Sequence, residues 1–257
     1  MKRLDLSKLK HRAESGDLDA VTELAERYRY GNGVPRDEAE AVALFRTGAA
    51  LGDPYLTLCL ADAYWYGEGI EASREEAVRY LEIAASLGQR EAMTSLGVYY
   101  VEHAPSAPDY PAALALYRRA ATLAEPDALH NLGVCYSVGQ GVTPDPEKAY
   151  EYFLAAAKRG HMEAHYKVGA CLLHGEGIEA NPDKARRWLT KAYKHYRAEA
   201  EDGDPMAQYM VGWCLLHGEG VTENIAEARV WLSRAVENGY EEADAREILD
   251  AMNAGGL

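Results

Sequence analysis

Leu132, Gly133 and Tyr136 fall at helical spacing, and the apolar pattern stops at Gly139-Gln140-Gly141-Val142. A glycine just past a helical run takes the left-handed position that ends a helix cheaply, and an apolar residue after it folds back onto the last turn. Asp145 then caps a second predicted helix, with Pro146 at its first position, where a missing N–H costs nothing. That helix carries Ala149, Phe153, Ala156 and Ala157 on one stripe and ends at Gly160. The pattern predicts a helical hairpin whose alanine and glycine faces let the two rods approach closely.

The same punctuation recurs along the chain. Glycine pairs stand at Gly31/Gly33, Gly67/Gly69, Gly139/Gly141, Gly175/Gly177 and Gly218/Gly220, N-cap residues at Asp37, Ser73, Asp109, Asp145, Asn181 and Asn224, and closing glycines at Gly16, Gly52, Gly88, Gly160, Gly203 and Gly239. The step is 36 residues, doubled across the third unit and lengthened to 43 in the fifth. Three landmarks keeping one period mark a stacked-repeat architecture. The expected fold is therefore all-α: a right-handed superhelical α-solenoid of about six helix-turn-helix repeats. A single domain over 1–257 is expected, with a capping helix in 1–18, hairpins at 19–52, 53–88, 89–124, 125–160, 161–203 and 204–239, and a C-terminal cap and tail in 240–257. Leu24, Leu60, Leu96, Leu132, Val168 and Val211 form a core ladder on the first helices, and Phe45, Leu81, Tyr117, Phe153, Leu189 and Leu232 one on the second.

Two units depart from the rule. In the third, His103 and Pro105 replace the glycine pair and Ala124-Glu125-Pro126 replaces the closing glycine, so altered loops are expected around an intact hairpin. In the fifth, seven added residues amount to about two helical turns. The helix from Asn181 is expected to continue through Lys194-His195-Tyr196-Arg197 in phase and to project past its neighbours.

Charge narrows the partners: 27 Lys and Arg against 41 Asp and Glu give a formal charge of −14. Such a surface repels nucleic-acid phosphates and anionic lipid and suits a basic or neutral protein. No apolar run approaches ~18 residues, and Met1-Lys2-Arg3 leads into a polar segment, so a cytoplasmic location is expected. Cys59, Cys135, Cys171 and Cys214 all lie on first helices. Neighbouring helices pack roughly 8–10 Å apart, beyond the reach of a disulfide, so buried free thiols are expected.

Residues 132–160 closely resemble the Sel-1-like repeat, LGxxYxxGxGVxxDxxKAxxWxxKAA, a relative of the tetratricopeptide repeat; 168–192 and 211–235 follow, with Trp188 and Trp231 at the pattern's tryptophan. The resemblance covers nearly the whole chain and weakens over 89–126. It implies a solenoid with first helices lining a concave face, and a role as adaptor or scaffold for a protein or peptide. A few cysteine-rich secreted members have been linked to β-lactam binding or hydrolysis. Those staple each hairpin with paired cysteines, which this chain lacks, so a β-lactam hydrolase stands on family analogy alone.

With that geometry, positions two before, two after and five after the ladder leucine face the groove. From these the partner-binding candidates are Arg29, Asp62, Trp65, His130, Tyr166, Leu173, Tyr209, Trp213 and Leu216. Aromatics supply large rigid contact area at low entropic cost and dominate interface hot spots. For Tyr209 and Trp213, packing against the C-terminal cap is the competing explanation, and for Trp65 a cation–π pair with Arg29. No Walker-type GKS/T, GxSxG or HExxH is present, and no catalytic, cofactor or metal residue is assigned. His161 and His165 are spaced for zinc, but a helix begins between them, so His161 is placed in the turn and His165 toward the neighbouring hairpin. His174 and His217 read as helix-end histidines favoured by the dipole. The acidic surface adds an alternative function, an inhibitor or immunity-type protein that occludes a basic effector.

Overall fold

The computed structural model describes residues 6–104, 107–240 and 243–253, without the side chains of 243, 244 and 253. Among them there are fourteen α-helices and no strand. They are α1 (Leu6–Glu14), α2 (Leu18–Tyr30), α3 (Glu38–Ala50), α4 (Pro54–Tyr66), α5 (Arg74–Ser86), α6 (Arg90–Glu102) and α7 (Tyr110–Thr122). The chain continues with α8 (Pro126–Val138), α9 (Pro146–Ala157), α10 (Met162–His174), α11 (Pro182–Glu201), α12 (Pro205–His217), α13 (Ile225–Glu237) and α14 (Ala243–Asn253). Among them α2–α3, α4–α5, α6–α7, α10–α11 and α12–α13 pack as hairpins, α1 packs on α2 and α14 on α13, and Tyr136 of α8 stacks on Tyr152 of α9. Pro105, Met1-Lys2-Arg3 and the expected tail after residue 253 lie outside the described residues.

Each second helix starts where its cap residue dictates. Asp37, Ser73, Asp109, Asp145, Asn181 and Asn224 each accept a hydrogen bond from the backbone N–H three residues on. Such a cap contributes about 1 kcal/mol by satisfying a donor the helix cannot use. On α6, α8, α10 and α12 the glycine after the ladder residue is the contact point, where α2 and α4 carry Ala25 and Ala61. A Cβ on Gly133 would fall 2.5 Å from the buried Phe153 ring of α9, and one on Gly169 2.6 Å from Leu189 of α11. In these four hairpins the glycine hydrogen leaves room for the ladder residue opposite.

In the third unit the closing position is filled by Ala124, with φ of 59°, a left-handed conformation that glycine adopts without strain. Glu125 compensates: it accepts from Asp127 and Ala128 N–H, starting α8, and takes a 2.8 Å bond from the buried Thr94 hydroxyl.

The chain divides into two compact units, Met1–Ala128 and Leu129–Leu257. In the first, Leu9, Val21, Leu24, Phe45, Leu56 and Leu60 build a core. In the second, Tyr196, Val211, Leu215, Trp231 and Leu232 do so.

The added turns of α11 do not project freely, as the sequence led one to expect. In two other units the second glycine of the pair rests on the first residue of the preceding second helix: Gly69 on Glu38, and Gly177 on Pro146. Gly220 rests instead on Leu189, seven residues further into α11, and its carbonyl accepts a 2.8 Å bond from the Thr190 hydroxyl. The last hairpin is thus set about 10 Å along α11 by the seven-residue insertion. The extra turns are covered rather than bare. Tyr196 and Ala200 are buried, Gln208 donates to the Ala200 carbonyl, and Arg197 pairs with Glu227 at 2.8 Å and lies over the Trp231 ring. Because the insertion keeps helical phase, the buried stripe simply continues.

Candidate partner-binding sites

Two clusters hold most of the residues expected to face the groove, one in each unit. In the first unit Arg29 on α2 reaches Glu68, in the loop after α4, at 3.3 Å and stands 3.8 Å from the Cys59 sulfur. Tyr55 donates to Glu26 at 3.1 Å. Burial raises the Asp62 carboxyl to about 6, opposed by Arg29 and reinforced by Glu68. Burial likewise pushes the Cys59 thiol up to about 11. Arg29 and Asp62 therefore belong to one polar cluster.

Trp65 is half-buried, but not against Arg29. The Arg74 guanidinium of α5 lies 3.8 Å over its ring, while Tyr99 of α6 and His103, just past the end of α6, flank it. Arg29 is engaged elsewhere, over Phe45 and against Glu68. The cation–π pair foreseen for Trp65 exists with a different arginine, supplied by the start of its own hairpin's second helix.

In the second unit Tyr166, Tyr209 and Trp213 come together. With Tyr196, Met206, Met210, Glu163 and Lys167 they line a half-open cleft of about 220 Å³. Tyr196 is its most buried wall, at 3 % exposure. Trp213 is half-buried and packs on His217. Tyr209 is 9 % exposed and stacks on Tyr240 with ring centres 4.6 Å apart, so packing toward the C-terminal end accounts for most of its surface. The Tyr166 hydroxyl meets the buried Glu219; burial first and that carboxylate second hold it protonated well above the usual phenol range. Tyr166 occupies this place because of the seven-residue step. In the first unit the loop acid Glu68 meets Arg29, five after the ladder residue; here Glu219 meets a residue two before it.

His130 is buried and joins the edge of this region. Its Nε2 lies 3.5 Å from Glu163, and its ring stacks on His161 at 4.3 Å. The hydrogen bond from His130 keeps the Glu163 carboxyl below its ordinary range. Leu173 and Leu216 are half-buried outside the cleft lining, Leu216 against the C-terminal core.

The zinc-spaced pair is used structurally. His161 Nδ1 caps α10 by accepting from Ala164 N–H, and His165 Nδ1 lies 2.8 Å from the His161 carbonyl oxygen. His165 is fully buried, with its ring against Trp188 of its own hairpin. Among the described residues no three His, Cys, Asp or Glu side chains gather as metal ligands. All four cysteines are buried and free.

The Sel1 repeat family matches residues 18–53, 59–89, 90–124, 126–161, 163–195 and 205–240. The chain belongs to the Sel1 repeat family. Repeats of this family generally mediate protein–protein interaction, and their α-solenoid is typically a non-catalytic scaffold. A Sel1 repeat protein of Oxalobacter formigenes is similar at 27% identity and a TM-score of 0.71, over 86% of this chain and 85% of that one. A protective antigen of uropathogenic Escherichia coli with an SLR fold is similar at 25% identity and a TM-score of 0.68; the match covers 98% of this chain and 52% of the antigen. An immunity protein of Pseudomonas aeruginosa shares the fold at 17% identity, with a TM-score of 0.52 over 87% of this chain and 82% of its own. Comparison with curated proteins gave no match. No described helix of this Sel1 repeat protein is long and apolar enough to cross a membrane.

Several cleft residues escape a position-by-position reading of the Sel1 repeat. Met206 stands three before Tyr209 and four before Met210, and Glu163 three before Tyr166, so these three were within reach of a face argument. Tyr196 and Glu219 were not. Their proximity to Tyr166 depends on how far the last hairpin is displaced along α11.

Proposed function

We propose that this Sel1 repeat protein is a non-catalytic binding module for a protein or peptide, and that the cleft of its second unit grips the partner. The observation that carries this reading is the convergence of Tyr166, Tyr209 and Trp213 with two methionines, one of them, Met206, 41 % exposed. Aromatic and methionine side chains around a half-open depression are the composition of interface hot spots. The polar cluster of Arg29 and Asp62 and the packed Trp65 serve as a secondary, charged contact in the first unit. Four buried thiols suit a reducing compartment, and the cytoplasm belongs to the same proposal.

Affinity capture from the native lysate with the wild-type chain and with Trp213→Ala tests it. A partner held by the wild type and reduced at least about tenfold by the variant is expected, the cost of losing one hot-spot aromatic. Equal recovery by both contradicts the assignment.

The formal charge of −14 favours a second reading, an inhibitor that occludes a basic effector. Acidic surfaces accelerate association with basic partners, and salt screens that attraction. Association that slows steeply with added salt supports this reading; a salt-insensitive rate counts against it.

A further inference from the structure

We propose that the cleft of the second unit seats an arginine side chain of the partner, its guanidinium plane against the aromatic walls. This deepens the protein-binding reading and rests on it. The cleft is aromatic but not purely apolar. Tyr196, a wall of the cleft, carries a buried hydroxyl with no hydrogen-bond partner, while the Trp213 indole N–H donates to the Tyr166 hydroxyl. A buried polar atom without a partner is costly, so a ligand that satisfies it is favoured over one that only fills space.

The surroundings select the sign of that ligand. Glu163 lines the cleft, and the buried Glu219 lies directly behind Tyr166 with its Oε2 unpartnered. Met206 also borders a shallow depression formed with Glu199, Asp202 and Asp204. Lys167 is the one basic side chain among the lining residues. A carboxylate or phosphate entering here meets this acidic surround. A neutral aliphatic side chain leaves the Tyr196 oxygen unmet. A guanidinium answers both demands: it is cationic, it stacks on aromatic faces, and its N–H groups can donate to the Tyr196 oxygen while facing the acids. Lysine carries the charge without the plane, so it stacks and bonds less well. Further basic residues of the same segment would face Glu199, Asp202 and Asp204.

The test uses the full chain, labelled with nitrogen-15, and the peptide acetyl-Gly-Arg-Gly-Arg-Gly-amide. Its citrulline and lysine counterparts serve as neutral and unbranched controls. The Trp213 indole resonance, assigned with Trp213→Phe, is expected to move and saturate with the arginine peptide. The citrulline peptide should bind at least about tenfold more weakly and the lysine peptide about threefold more weakly. Tyr196→Phe keeps the ring and should weaken the arginine peptide about fivefold, with its melting temperature checked in parallel. Equal binding of arginine and citrulline peptides, equal binding of the lysine peptide, or a stationary Trp213 resonance overturns the proposal. If that happens while Trp213→Ala still abolishes capture of the native partner, only the arginine assignment falls. If capture too is indifferent to Trp213→Ala, the protein-binding site itself falls.

Discussion

Asp62 sits beside Arg29 and still carries a carboxyl raised to about 6, because losing water outweighs the nearby cation. A carboxyl whose folded value lies above its unfolded one stabilises the fold below about pH 4, and that contribution fades as pH rises through about 6. Asp62→Asn removes the titration. Relative to wild type, it is expected to gain on the order of 1–3 kcal/mol between pH 4.5 and pH 8, read by urea unfolding at the two pH values. A constant difference between wild type and variant would show that Asp62 titrates normally. Ala124 tests backbone strain in the same way. Its φ of 59° is a conformation in which glycine has no Cβ to clash, so Ala124→Gly should raise stability by about 1 kcal/mol despite the added chain entropy of glycine. Thermal unfolding measures it, and a drop in melting temperature would assign the strain elsewhere.

At the scale of the helix, a single hydrogen atom decides how closely the glycine-bearing hairpins close. Gly133→Ala in an exposed helix would gain about 1 kcal/mol from propensity. Here the new methyl meets the Phe153 ring, which is itself 3 % exposed and has nowhere to go, so a net loss of about 1–3 kcal/mol is expected in chemical denaturation. Neutral or stabilising behaviour would mean the two helices can part without cost. The helices, their caps and their closing glycines were legible in the sequence because each depends on residues a few positions apart: Asp145 and Lys148, or Cys135 and Gly139. Contacts that depend on register between hairpins were not. Arg29 of the preceding hairpin did not reach Trp65, which Arg74 of its own hairpin covers, and Glu219 found Tyr166, because nothing in a single helix reports how far the next hairpin has slid. The extension of α11 carried that information in its length of 20 residues, yet length alone does not say whether a helix protrudes or displaces the next hairpin.

For the chain as a whole, the ladder positions fixed which residues build each unit's core, and the remaining first-helix positions supplied the candidates for recognition. Among those candidates, the second unit gathers aromatics around an opening and the first gathers opposed charges. This division predicts an uneven response to mutation: substitutions at Trp213 and Tyr166 should cost more partner affinity than Trp65→Ala, whose ring is already engaged by Arg74, Tyr99 and His103. The most direct measurement is the dissociation constant of the captured partner for wild type, Trp213→Ala and Trp65→Ala, each shown to melt cooperatively. The cleft as the gripping site requires a loss of about tenfold or more for Trp213→Ala and a clearly smaller one for Trp65→Ala. The same affinity for wild type and Trp213→Ala, or a greater loss at Trp65, would contradict it.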